Sequence, residues 1–135
     1  MTEEIGFEIH LELPYDEALE KVTDALKEQG FGVLTKIDVK ATLKEKLDED
    51  FRPYAILGAC NPPLAHKALS SDATIGLMLP CNCTVEAKDE TNSIVRILNP
   101  KVMMGFGNLD QNETLIFVAD EASERLTKVA ETLRA

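Results

Sequence analysis

Two short runs hold the residue types in this chain that are able to do chemistry: Cys60-Asn61-Pro62 and Pro80-Cys81-Asn82. Each sets a thiol beside a neutral amide, next to a proline that restricts the local backbone. A deprotonated thiol is a nucleophile, a redox centre or a soft-metal ligand, and an amide holds a ligand through uncharged hydrogen bonds. Cys60 also falls just before a stretch that reads as the start of a helix. Unpaired N–H groups and the positive end of the helix dipole favour a thiolate there, or a small bound anion. A plainer reading stands beside this one: free cysteine is among the most buried residue types, and asparagine is a routine helix cap.

Other combinations have weaker support. Cys60, Cys81, Cys83 and His66 together would offer thiolate and imidazole ligands suited to zinc or copper(I), but no C-x-x-C spacing accompanies them and His66 reads as a helix-surface residue. His10 and His66 are the two histidines, and no motif ties either to a nucleophile. Arg52 and Tyr54 flank Pro53 and border a pocket or an interface, unless they simply mark entry into a strand. Gly105-Phe106-Gly107-Asn108 lacks the glycine pattern of a phosphate-binding turn and reads as a loop. Met103-Met104 reads as core or interface filler.

The elements that must position these residues follow from periodicity. Ile5, Phe7, Ile9, Leu11 and Leu13 alternate with polar residues, the pattern of a strand with one buried face, and His10 then faces solvent or a sheet edge. Tyr15, Ala18, Leu19, Val22, Ala25 and Leu26 recur at helical spacing until Gly30 supplies a stop. Residues 31–38 read as a second strand with Phe31, Val33 and Ile37 on one face. Asp38 then caps a short amphipathic helix carrying Val39, Leu43 and Leu47.

Residues 54–60 are apolar at nearly every position, as in a central strand covered on both faces, and Gly58 marks a close backbone approach. Asn61 caps a helix whose first turn takes Pro62 and Pro63 and which frays at residues 70–72. Cys81, Cys83, Val85 and Ala87 share one face of the next strand, and Asn82, Thr84, Glu86 and Lys88 share the other, so both thiols point inward. A turn-rich stretch leads into a return strand over residues 94–98, ended by Asn99-Pro100. Leu115, Ala119, Ala122, Leu126, Val129 and Leu133 form the stripe of a long final helix that packs on the sheet. If the strands bearing Cys60 and Cys81 are antiparallel neighbours, the two thiols share a sheet end; if they are parallel, they lie at opposite ends.

Composition narrows the partners. With 135 residues, 44% of them hydrophobic, the chain suits one domain, residues 1–135, with a core that needs neither metal nor disulfide. It has 24 acidic against 14 basic residues, a net charge of −10, which repels phosphate backbones and anionic lipid, so nucleic-acid and membrane partners are not expected. There is no apolar run of about 18 residues to span a bilayer, and Met-Thr-Glu-Glu does not open a signal peptide. The expected location is the cytoplasm, where the three cysteines stay free thiols, catalytic thiols or metal ligands.

The block Phe51-Arg52-Pro53-Tyr54, Ile56-Leu57-Gly58-Ala59-Cys60-Asn61-Pro62, Leu64-Ala65-His66-Lys67-Ala68-Leu69 and Ile75-Gly76-Leu77-Met78-Leu79-Pro80-Cys81-Asn82 resembles the bacterial and archaeal family called domain of unknown function 302. So does residues 35–44. The resemblance implies an α+β domain, an antiparallel sheet with helices packed on one face, in a TATA-binding-protein-like topology, and a homodimer. It favours the antiparallel placement of the two thiols. Two positions depart from the family pattern: Cys83 stands where an aliphatic residue is expected, and Asn99 where an acidic residue is usual before Pro100.

The family carries no established activity, so fold alone assigns none and no cofactor follows. The expected function is binding of a small molecule or a protein partner, without turnover, at the Cys-Asn end of the sheet, with Cys60, Asn61, Cys81, Asn82, His66, Arg52 and Tyr54 as candidate site residues. The alternative is a thiol-dependent redox or sulfur-transfer activity, or soft-metal binding, through Cys60 and Cys81.

Overall fold

The computed structural model describes residues 4–135. Most of the Met-Thr-Glu-Glu opening lies outside the described residues. The first alternating run forms β1 (Gly6–Leu11), which buries Ile9 and Leu11 and turns Glu8 and His10 outward. Helix α1 (Tyr15–Glu28) buries Ala18, Val22, Ala25 and Leu26. It ends at Gly30, whose φ of 83° is a left-handed conformation that glycine adopts without a Cβ penalty.

The chain continues through β2 (Gly32–Asp38), α2 (Val39–Leu47), β3 (Tyr54–Cys60), α3 (Pro62–Ser71), a 3-10 helix over Ala73–Met78, β4 (Cys81–Ala87) and β5 (Ser93–Leu98). Two more 3-10 helices, Pro100–Gly105 and Leu109–Gln111, lead into α4 (Glu113–Arg134). Side-chain oxygens of Asp38, Asn61 and Asn112 accept N–H groups of Ala41, Leu64 and Leu115 at the starts of α2, α3 and α4, which satisfies donors that a helix terminus otherwise leaves unpaired.

The five strands form one open sheet in the order β1-β5-β4-β3-β2. Every neighbouring pair is antiparallel. One sheet face carries Ile9, Leu11, Ala55, Leu57, Ala59, Cys83, Val85, Val95 and Ile97 into a core completed by Val22 and Leu26 of α1 and Leu126 and Val129 of α4. This is an α+β fold. A second, smaller cluster of Ala68, Ile75 and Leu115 lies between α3, the Ala73–Met78 turn and α4.

Two local expectations are corrected. Strand β3 is not covered on both faces: Ala55, Leu57 and Ala59 are buried, whereas Tyr54, Ile56 and Cys60 on the other face are only half-buried, because α1 and α4 pack on the first face. In β2 the shared face of Phe31, Val33 and Ile37 does not form. An irregularity between Val33 and Thr35 interrupts the pleat, Phe31 is buried ahead of the strand, and Ile37 stays 48% exposed on an edge strand. Helix α2 is the surface helix that its amphipathic pattern implies: it buries no residue completely, and its apolar side lies shallowly beside β2 and β3.

Candidate functional site

The antiparallel pairing of β3 with β4 sets Ala59 opposite Cys81 and Leu57 opposite Cys83. Cys60 directly follows the residue that faces Cys81, so β3 ends where β4 begins and the two thiols share one end of the sheet. Both line a cavity of about 350 Å³, roofed by Leu64 and Ala68 of α3, Ile75, Leu115 and Ala119 of α4. Gly58 helps shape its rim. A Cβ there would sit 2.2 Å from Thr35 Oγ1 and 2.7 Å from Pro80 Cγ, so only glycine lets these two cavity-lining residues cross β3 so closely.

The lining is apolar apart from Thr35, Cys60, Asn61 and Cys81, and it includes no charged residue. Burial, reinforced by neighbouring Cys60, pushes the Cys81 thiol up to about 11. Burial pushes Cys83, which faces the core, up to about 12. Both are neutral thiols near pH 7.

The start of α3 does not do what the helix dipole alone suggests. Its first two residues, Pro62 and Pro63, have no N–H. The Leu64 N–H is bound to Asn61 Oδ1 at 3.2 Å, and the Ala65 N–H to the Asn61 carbonyl at 2.9 Å. Of the donors that a helix start leaves unpaired, those of residues 62 and 63 are absent and that of Leu64 is taken by the Asn61 cap, so the expected cradle for an anion at the head of α3 is corrected.

The remaining candidates lie elsewhere. His66 is exposed on α3, and Asn82 is exposed beside Gly58; neither lines the cavity. Arg52 and Tyr54 belong to the opposite end of the sheet, where Tyr54 pairs with Glu86. No group of three or more His, Cys, Asp or Glu among the described residues is arranged to hold a metal ion, so Cys60, Cys81, Cys83 and His66 do not converge on one.

Arg52 instead joins a charged network on the sheet face away from α1 and α4. Its Nε lies 2.5 Å from Glu86 Oε2, and its guanidinium stacks on Phe51 at 4.5 Å. Arg96 Nη1 donates to Glu86 Oε1, and Arg96 Nε donates to Glu8 Oε1 at 2.9 Å. His10 Nε2 meets Glu8 Oε2 at 3.3 Å. Glu86 is 5% exposed. Burial by itself would raise its carboxyl, but hydrogen bonds and charge from Arg96 and Arg52 outweigh that and hold it below the usual range. The sequence placed Glu86 on the polar face of its strand, but nothing in the linear order joins it to Arg52 and Arg96.

A sequence model of the family described as domain of unknown function DUF302 matches residues 7–133. No curated protein matches the chain. Among solved structures, the chain is similar to the crystal structure of an uncharacterized conserved protein DUF302 from Bacillus stearothermophilus. The TM-score is 0.83 at 26% identity, covering 98% of this chain and 100% of that one.

Proposed function

The chain belongs to the DUF302 family, and we propose that it is a binding protein that takes a small molecule, without turnover, in the cavity at the Cys60 and Cys81 end of its sheet. The observation behind this reading is the cavity itself. At about 350 Å³ it falls within the size range of small-molecule sites, and it joins an apolar wall to a few polar groups at one end. Turnover by acid–base chemistry needs a group that titrates near the working pH. The lining offers no carboxylate, imidazole or amine, and Cys81 holds its proton.

Indole, an uncharged apolar probe, tests this by amide chemical-shift titration. Saturable shifts centred on Leu64, Ala68, Leu115 and Ala119 are expected. Shifts absent from these residues at millimolar indole would overturn the reading.

We extend the proposal to assembly and location. A homodimer through β2 is supported by its position at the sheet edge and by the exposure there of Leu34 and Ile37, 68% and 48%, since an open apolar edge invites pairing. Light scattering that gives a monomer mass at micromolar concentration would remove it. Three free cysteines support the cytoplasm, and the net charge of −10 supports a partner other than nucleic acid. No helix among the described residues is long and apolar enough to cross a membrane. The antiparallel sheet with α1 and α4 on one face supports a TATA-binding-protein-like topology.

A further inference from the structure

We infer that the cavity selects by charge, admitting uncharged, hydrocarbon-bodied ligands of about a dozen non-hydrogen atoms and rejecting their anionic counterparts. This rests on the proposal that the cavity is the binding site, and adds the class of ligand it takes.

Size comes from the volume. A cavity of about 350 Å³, at roughly 30 Å³ per water-sized group, holds about a dozen such groups. A chain of ten carbons ending in one polar group is of that length class.

Charge selection comes from three features of the wall. The first is its composition, because an ion entering must shed water and finds no opposite charge among the lining residues. The second is the start of α3. A helix terminus beside a cavity is the usual place for a protein to hold an anion without a basic side chain. Here Pro62 and Pro63 remove two donors, and the Asn61 side chain occupies that of Leu64.

The third feature is the chemistry that remains. The Thr35 hydroxyl, the Asn61 amide and the thiols of Cys60 and Cys81 are the polar groups of the lining. A hydroxyl, amide or carbonyl on the ligand can exchange hydrogen bonds with such groups, while a carboxylate would find no cation among the lining residues. The wall therefore separates two molecules of equal length by charge alone.

The test compares 1-decanol with decanoate at pH 7, each titrated into the full chain and followed by amide chemical shifts. Decanol is expected to saturate the shifts of Leu64, Ala68, Leu115 and Ala119. Decanoate is expected to bind at least about a hundredfold more weakly, equivalent to about 2.7 kcal/mol. Decanoate within a hundredfold of decanol, at the same residues, overturns the charge selection and leaves the binding site standing.

Failure of indole and both decyl compounds to shift those residues overturns the site as well. Ala119→Leu fills the cavity from α4 and Ala68→Leu fills it from α3; at least one is expected to fold and to lose decanol binding more than tenfold. A folded variant of either kind with unchanged decanol affinity overturns the inference, because the ligand would then sit elsewhere.

Discussion

Replacing Glu86 by glutamine removes one negative charge from between two guanidinium groups and changes the shape of the side chain very little. The wild-type carboxylate is 6% exposed and accepts from Arg52 Nε and Arg96 Nη1, whereas Arg52 and Arg96 are themselves 52% and 42% exposed. The two limiting cases bracket the cost. Breaking a fully buried pair costs about 3–5 kcal/mol, and losing an exposed pair about 0–1 kcal/mol. Here the anion is buried and the cations are open to water, so after Glu86→Gln each guanidinium recovers much of its hydration. The glutamine NH2 must still face a donor. The loss is expected to be about 2 kcal/mol, or a fall in Tm of about 6–10 °C for a domain of this size.

Urea unfolding followed by far-ultraviolet circular dichroism measures this, with the slope of the transition unchanged. The pH dependence gives a second constraint. The folded carboxyl is held below its ordinary value of 4.5, so the stability it contributes is present above that value and is lost as pH falls through the folded pKa. The gap between wild type and variant should therefore stay constant from neutral pH down to about pH 5 and close below it. A gap under about 0.5 kcal/mol at pH 7, or one that persists in acid, would refute the assignment of this network as a stabilising one.

Other consequences are as direct. Gly58→Ala drives a Cβ to 2.2 Å from Thr35 Oγ1 and should cost about 1–3 kcal/mol in urea unfolding; an unchanged midpoint would show that Thr35 and Pro80 move aside freely. Asn61→Ala removes the cap on α3 and should cost about 1 kcal/mol, whereas Asn61→Ser should keep most of it. Equal losses in the two variants would mean that the Leu64 N–H bond contributes nothing. Cys81 and Cys83, pushed up to about 11 and about 12 and buried, should resist iodoacetamide at neutral pH until the chain unfolds. Modification of either in the native protein, read by peptide mass mapping, would contradict their burial.

How far the sequence reveals the molecule depends on whether a feature is written in local spacing. The strand of Ile9 and Leu11 and the helix of Ala18, Val22, Ala25 and Leu26 are legible because each buries a single face in strict period. The inward set of Cys81, Cys83 and Val85 is legible for the same reason. Strand β3 misleads, because apolar residues on both faces signal double coverage whereas α1 and α4 pack on the face of Ala55, Leu57 and Ala59, and Tyr54, Ile56 and Cys60 stay half-buried.

The thiol end of the sheet is legible in part. Local order places Cys60 and Asn61 at a helix start, but sharing a cavity with Cys81 requires the antiparallel register of Ala59 with Cys81. The loss of anion-binding capacity at α3 is encoded in plain view, since prolines at the first two positions have no N–H to offer. Weighing the dipole without counting donors hides it. The network of Arg52, Glu86 and Arg96 is illegible for a different reason: its members are 34 and 10 residues apart and meet only once the strands are in register.

The two polar systems of this molecule are also separable, and that separation can be tested. Glu86 lies five residues along β4 from Cys81, which at about 3.3 Å per residue is roughly 17 Å. Cys81 and Cys83 face the core side while Glu86 joins the opposite face. Perturbations at such a distance, with no shared partner, add independently. Glu86→Gln should therefore lower stability yet leave the affinity for 1-decanol unchanged within about twofold. The increase in stability produced by a given excess of decanol should be equal in wild type and variant, since it depends only on ligand concentration and affinity for the folded state. A decanol affinity that falls tenfold in a folded Glu86→Gln protein would show that the charged face and the cavity form one coupled unit. Decanol binding would then report on the state of the whole sheet rather than on the cavity wall alone.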